Sequence, residues 1–373
     1  MEIIIFSKSL KHLDVKLATT SSQIFEIEFA KSLASFAKVN IVSFKANRIE
    51  KGKDIYRNLT LFPLDKSKKL KHSLNEIISK NKLFLDTVNT LIFFGYDYII
   101  IKHLKSVCKK LKANIVSYTF DTHKAAIEHK RGLRRVLIDS YFKLGIKKLN
   151  SIDGIILFNE EAYKELHLRI PFLISKIGIS ESEISSKTYK RNRDDCFNIV
   201  YTGSLERYNG VEEMIDAIKL INTNNVTLNI YGNGTLKNDI IQKSAEDPRI
   251  NYYGLITKGE LENKIKKADL LINTRNVNHY VNKFAFPSKL IQYLSSGIPV
   301  MSTRVIKDKS FENIAFVIDH ITPEKISEMI KFIIENPLEQ KKRAELAKSY
   351  IRENFIWQGI IKDVYDFLVK VSS

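Results

Sequence analysis

Short apolar runs alternate along this chain with longer stretches in which apolar residues recur every three or four positions. That alternation predicts buried strands joined by helices. Glu2–Phe6 reads as a first strand, followed by a polar loop through Ser7–Ser22. The hydroxyls of Thr20, Ser21 and Ser22 suit a helix start, because they can accept N–H groups that have no partner in the first turn. Ile24, Ile27, Phe29, Ala30, Leu33 and Phe36 continue that helix, and Val39–Phe44 predicts the second strand. The polar stretch Lys45–Lys71 reads as loop and insertion. Leu91–Ile101 looks like a buried strand, and strand-like runs recur at Tyr98–Ile101, Ile115–Thr119 and Gly154–Phe158.

From Ser180 to Asp195 the apolar period disappears, which predicts an interdomain linker over 181–196. A second alternating series then begins, with strands expected at Asn198–Tyr201, Thr227–Tyr231, Ile250–Tyr253, Leu270–Asn273, Pro299–Ser302 and Ala315–Ile318. Helices are expected between them, as at Val211–Ile221 and Lys258–Lys267. The pattern predicts two α/β domains, residues 1–180 and 197–354, each a doubly wound parallel sheet. The amphipathic segment 355–371 predicts a closing helix that completes the first domain.

Length agrees with two cores, since 373 residues exceed what one ordinary domain holds. No apolar run reaches the roughly 18–20 residues of a membrane-spanning helix, and the strand-first N-terminus has no secretion-signal pattern. Two isolated cysteines, Cys108 and Cys196, point to a reducing cytosol and not to a disulfide framework. The charge is unevenly spread. Residues 1–180 hold 32 Lys and Arg against 17 Asp and Glu, a net of +15, which leaves only +3 of the total +18 for the remainder. Around Lys124–Lys148, Arg131, Arg134, Arg135, Lys143, Lys147 and Lys148 alternate with Leu133, Val136, Leu137, Tyr141, Phe142, Leu144 and Ile146. Such a helix suits an anionic membrane surface. Nucleic acid attracts the same charge, but no recognition motif for it is present.

The candidate chemistry sits in loops after the strands of the second half. Thr202-Gly203-Ser204-Leu205 follows one strand, and Tyr231-Gly232-Asn233-Gly234 ends another, where glycine lets a backbone approach closely. Phe286-Pro287-Ser288-Lys289 leads into a helix carrying Leu290, Ile291 and Leu294, which Gly297 ends. Free N–H groups at that helix start, with the Lys289 cation beside them, make an anion site, and phosphate is the first ligand to consider. No Asp-x-Asp follows a strand of the second domain, so no required metal or other cofactor is expected.

With Tyr253-Gly254-Leu255-Ile256, Ala268-Asp269-Leu270-Leu271-Ile272-Asn273 and Ser296-Gly297-Ile298-Pro299-Val300, these loops resemble the donor-binding half of a GT-B glycosyltransferase. More narrowly, the chain is similar to the retaining glycosyltransferase family 4 and its bacterial polysaccharide branch, specifically over residues 197–305. The resemblance implies two Rossmann-like domains facing a cleft, and sugar transfer from a nucleotide-diphosphate sugar, UDP-linked, to a saccharide or lipid-linked acceptor. It implies donor contacts at Gly203, Ser204, Arg207, Gly232, Gly234, Leu255, Ile256, Phe286, Pro287, Ser288 and Gln292. Catalytic roles fall to His123, Arg275 and Lys289, and Thr20, Ser21 and Ser22 lie on the acceptor side. The sequence departs from the family where two diphosphate-neutralising cations are replaced by Ser204 and Asn209, and two glutamates by Phe284 and Gln292. A non-catalytic partner subunit of a homologous enzyme, or a sugar-nucleotide epimerase, are the alternatives that those replacements keep open. The expected location is the inner face of the plasma membrane.

Overall fold

A computed structural model describes all residues except 19, 54–55, 84–88, 121–130, 187–188, 190–195, 285, 307 and 373, together with all side chains in them save those of residues 16, 21, 258 and 283. The chain separates into two units. The first comprises residues 1–178, 284–286 and 357–373; the second comprises 179–283 and 287–356.

The first unit is built on an eight-stranded sheet of β1 (Glu2–Ser7), β2 (Lys38–Ser43), β3 (Glu50–Lys51), β4 (Leu59–Pro63), β5 (Asn89–Phe94), β6 (Asn114–Tyr118), β7 (Gly154–Leu157) and β8 (Phe172–Ile174). Its order is β3-β4-β2-β1-β5-β6-β7-β8, parallel throughout except for the short β3 at the edge. The direction of winding therefore reverses between β1 and β5. Strands buried on both faces explain the unbroken apolar runs Ile3-Ile4-Ile5 and Leu91-Ile92-Phe93. Helix Ser21–Leu33 starts at Thr20, whose side chain accepts from Gln23 N as expected of a cap. Helix Trp357–Ser372 packs on helix Ser21–Leu33, and Trp357 reaches Phe25 at 5.5 Å between ring centroids.

Two readings of this half are corrected. Tyr98–Ile101 is not strand but the first turn of helix Tyr98–Leu111, because Asp97 accepts from Ile99 N and Ile100 N and so caps a helix there. The apolar run is thus divided at Gly95 (φ +81°), where β5 has already ended. The stretch read as insertion contains β4, a parallel strand in register with β2. Thr60 and the terminal Pro63 hid it among lysines.

The second unit holds six parallel strands: β9 (Phe197–Ser204), β10 (Val226–Asn233), β11 (Ile250–Gly254), β12 (Leu270–Asn273), β13 (Val300–Thr303) and β14 (Phe316–Ile318). Their order is β11-β10-β9-β12-β13-β14, with the reversal between β9 and β12. Helices Val211–Lys219 and Pro323–Glu335 cover one face with Val211, Met214, Ile215, Ile218, Ile326, Ile330 and Ile333, all buried against β9, β10 and β12. Described residues of the expected linker are packed on this unit. Tyr189 is buried and donates to Asp269 O (3.2 Å) and Gln340 Oε1 (2.9 Å), and Ser185 N donates to Ser295 O. Each unit is thus a doubly wound α/β domain.

Candidate active site

In an open parallel sheet the carboxyl ends of the strands flanking a reversal leave a crevice, since the connections there run to opposite faces. In the second unit that place is the end of β9 and β12. Gly203 and Ser204 finish β9, and Gly232 and Asn233 finish β10 directly beside them in register. Arg275 lies just past β12, and its backbone O accepts from Thr303 Oγ1 at 2.7 Å. Helix Ser288–Ser295 is tied to the same edge by Tyr293, which is fully buried. The phenol accepts from Thr202 N (2.8 Å) and donates toward Thr202 Oγ1 (3.0 Å) and O (3.2 Å). Burial pushes the Tyr293 phenol up to about 12, so it stays a neutral hydrogen-bonding strut at any ordinary pH.

That strut sets the start of the helix. Pro287 stands at its N-cap and offers no capping side chain, so the first-turn N–H groups remain directed outward. Lys289 is half-buried in this turn, and burial depresses its pKa below the ordinary lysine value. Its ammonium lies 3.5 Å from Gln292 Oε1, one turn on. At that position the family resemblance expects a carboxylate; the amide leaves the cation beside it uncompensated by a formal charge. A desolvated cation next to outward N–H groups favours an anion with several oxygens, such as a diphosphate.

The glycines have a packing role of their own. A Cβ on Gly232 would lie 1.8 Å from Gly203 O, and one on Gly234 would lie 2.5 Å from Leu205 O. The close approach they permit is to the neighbouring backbone of the domain itself. Ser204 and Asn209, the two positions expected to be cationic, bond to each other. Asn209 Nδ2 donates to Ser204 O (2.9 Å) and Oγ (2.8 Å), fixing the loop with neutral groups. Arg207 is exposed and faces Glu212 at 3.6 Å. Leu255 and Ile256 follow β11 two strands from the reversal, and Leu255 is 75% exposed. Ser288 is exposed at the helix start, while Phe286 belongs to the first unit, its ring 5.0 Å from Phe158. Phe284 is buried there too, and its backbone O accepts from Asn159 Nδ2.

In the first unit the corresponding reversal lies at the ends of β1 and β5. Thr20 and Ser22 are exposed beside it, and the Ser22 hydroxyl donates to Glu26 Oε1 at 3.1 Å. Ser21 opens the helix between them. Ser9 and Ser7 also donate to the Glu26 carboxyl, which is 3% exposed, and burial raises its pKa despite the three hydroxyls. Glu26 was not expected from sequence, because a single acid on an apolar helix face carries no local signal. Lys8, past the end of β1, pairs with Asp97 at 3.1 Å, and Asp97 also accepts from Tyr141 (2.7 Å). His123 lies outside the described residues.

Residues 196–336 match the family of glycosyl transferases group 1. This segment is a glycosyltransferase domain. It contains β9–β14 and Gly203, Arg275 and Lys289, so the crevice at the β9/β12 reversal lies wholly within it. By class the chain is therefore a glycosyltransferase. Solved structures resemble it along their whole length. HepE from Anabaena, in complex with UDP and glucose, is 12% identical with a TM-score of 0.67, and the match covers 99% of this chain and 100% of that one. Sucrose-phosphate synthase from Thermosynechococcus elongatus is 12% identical, with a TM-score of 0.70 over 99% and 98% of the two chains. WaaG, a glycosyltransferase of lipopolysaccharide biosynthesis, is 14% identical, with a TM-score of 0.62 over 98% and 99%. At these identities the likeness establishes the shared fold. No curated protein matches the sequence.

Proposed function

We propose that this glycosyltransferase moves a hexosyl group from a UDP-linked sugar to a lipid-linked saccharide, with retention of configuration, in the assembly of a bacterial surface polysaccharide. The observation that carries the donor half is the uncapped start of helix Ser288–Ser295, with half-buried Lys289 in its first turn and Tyr293 anchoring it at the end of β9. As the bond between the anomeric carbon and the diphosphate breaks, negative charge grows on the departing oxygens. Fixed N–H groups, Lys289 and Arg275 stabilise that charge without having to reorganise, and no metal is required in this reading. The bound UDP and glucose in HepE favour a uridine donor. A melting-temperature screen against UDP-, GDP- and CMP-linked sugars tests it. UDP-sugars should raise the midpoint, by about 2.7 kcal/mol of added stability at a hundred times Kd. A shift with CMP- or GDP-sugars alone would reject the uridine donor.

The acceptor half rests on helix Gly132–Leu149. Its first two turns are exposed, with Leu133, Val136 and Leu137 at 74%, 59% and 61%, beside Arg131, Arg134 and Arg135. Apolar side chains of this size offered to water next to arginines fit the boundary between lipid headgroups and acyl chains. Among the described residues no helix is long and apolar enough to cross a membrane, so attachment through this helix would be peripheral, as at the inner face of the plasma membrane. We expect binding to vesicles containing anionic lipid, and loss of about a thousandfold or more in affinity when Leu133, Val136 and Leu137 are changed to serine, since each buried side chain contributes about 1.5–3 kcal/mol. Flotation that is indifferent to anionic lipid content, or to these three residues, would reject it.

A further inference from the structure

Asn282 is 8% exposed in the short helix Tyr280–Phe284 that follows β12, and its amide is fully engaged. Its Nδ2 donates to Tyr208 O (2.8 Å) and to Asn276 O (2.9 Å), while its Oδ1 accepts from Arg275 Nη2 at 2.7 Å. Two carbonyls on one side and a guanidinium on the other admit only this orientation of the amide, because an Oδ1 turned toward the carbonyls would leave acceptor facing acceptor. The loops on either side of the reversal are joined at the same place. Asn276 N also donates to Tyr208 O (2.8 Å), Thr274 Oγ1 donates to Asn209 O (3.0 Å), and the rings of Tyr208 and His279 stack at 4.7 Å.

We propose that Asn282 is a positioning residue for the transfer reaction: it holds the Arg275 guanidinium at the β9/β12 crevice and fixes it to the loop that ends in Gly210. The proposal rests on the reading that the crevice takes the donor diphosphate. Arginine has a long side chain with many rotamers. An arginine already fixed when the diphosphate arrives does not lose that freedom on binding, so a group that never touches substrate strengthens the contact. The residue must be an amide. An aspartate would match the guanidinium but set a buried carboxylate against two carbonyls, and its charge would compete with the diphosphate for Arg275.

The test is a double-mutant cycle read by UDP binding in calorimetry, with circular dichroism to verify folding. Arg275→Ala and Asn282→Ala should each weaken UDP about tenfold, the scale of one hydrogen bond to a charged group. In the Arg275→Ala background, Asn282→Ala should cause no further loss, because it has nothing left to position. Asn282→Asp, which keeps the size of the side chain, should weaken UDP at least as much as the alanine variant and serves if the alanine variant does not fold. Equal loss from Asn282→Ala with and without Arg275 would reduce it to a structural residue and overturn the proposal. So would wild-type UDP affinity in Asn282→Asp. If Arg275→Ala binds UDP as the wild type does, the diphosphate reading of Arg275 fails, and the role of Asn282 fails with it.

Discussion

Lys289→Ala is expected to lower the rate of sugar transfer by about two to three orders of magnitude, the usual cost of removing one donor from a site of developing negative charge. The far-ultraviolet spectrum and melting midpoint should change little. The side chain is half-buried but its one described polar contact is Gln292 Oε1 at 3.5 Å, a distance at which little stabilising energy is lost. Leu290, Ile291 and Leu294, which anchor the helix, are untouched. The same lysine predicts a pH dependence whose sign is fixed. Burial lowers its pKa in the free protein, and a bound diphosphate would raise it again by supplying negative charge. Binding therefore favours the protonated form. UDP affinity should fall as pH rises through the depressed value in the wild type, and that part of the pH dependence should vanish in Lys289→Ala. Unchanged UDP affinity in the variant would remove the helix start from the donor site.

The strands of the second domain were legible because each is a short apolar run closed by glycine or a polar residue, and Leu270–Asn273 is observed as expected. Burial on both faces gives such strands a strong signal. The first domain was less legible where a cap or an edge decided the outcome. Asp97 turns apolar residues 98–101 from strand into helix through two side-chain bonds, which no periodicity reveals. β4 is short and ends in Pro63, so its apolar content is diluted by neighbours that lie outside the sheet.

For the site, tertiary contacts add what sequence order does not show. Lys289 emerged from its place at a helix start and Gln292 only from the family resemblance, but the anchor that places them, Tyr293, resembles any buried aromatic until its bonds to Thr202 are seen. Asn209 looked like a lost cation, and it is the donor that fixes Ser204. Asn282 had no sequence signal at all, because its three partners lie in two loops separated by some seventy positions.

Gly232→Ala is expected to destabilise the second domain by about 3 kcal/mol or more, above the ordinary range for an overpacked site. The reason is geometric. Gly232 has φ +153° and pairs with Gly203 across two parallel strands, and a Cβ there would lie 1.8 Å from Gly203 O. A side chain in the way can rotate, but here the obstacle is backbone in a hydrogen-bonded ladder, so relief requires β10 to part from β9 at its carboxyl end. For a domain of this size the melting midpoint should fall by about 6–12 °C. Two other glycines separate the causes. Gly254 also has positive φ (+71°), but its nearest obstacle is Tyr252 Oη at 3.7 Å, so Gly254→Ala should cost only the backbone strain of about 1–2 kcal/mol. Gly259 lies in helix Lys258–Ile265 with open space around it, and Gly259→Ala should stabilise slightly, by up to about 1 kcal/mol. The expected ranking in urea unfolding is therefore Gly259→Ala above wild type, then Gly254→Ala, then Gly232→Ala well below. A Gly232→Ala midpoint equal to that of Gly254→Ala would mean the strand ends are not held as closely as described. The consequence reaches the chemistry as well. The end of β9 carries Thr202, to which Tyr293 is bonded, so parting β9 from β10 loosens the strut that sets Lys289, and UDP affinity should fall in Gly232→Ala even where the domain remains folded.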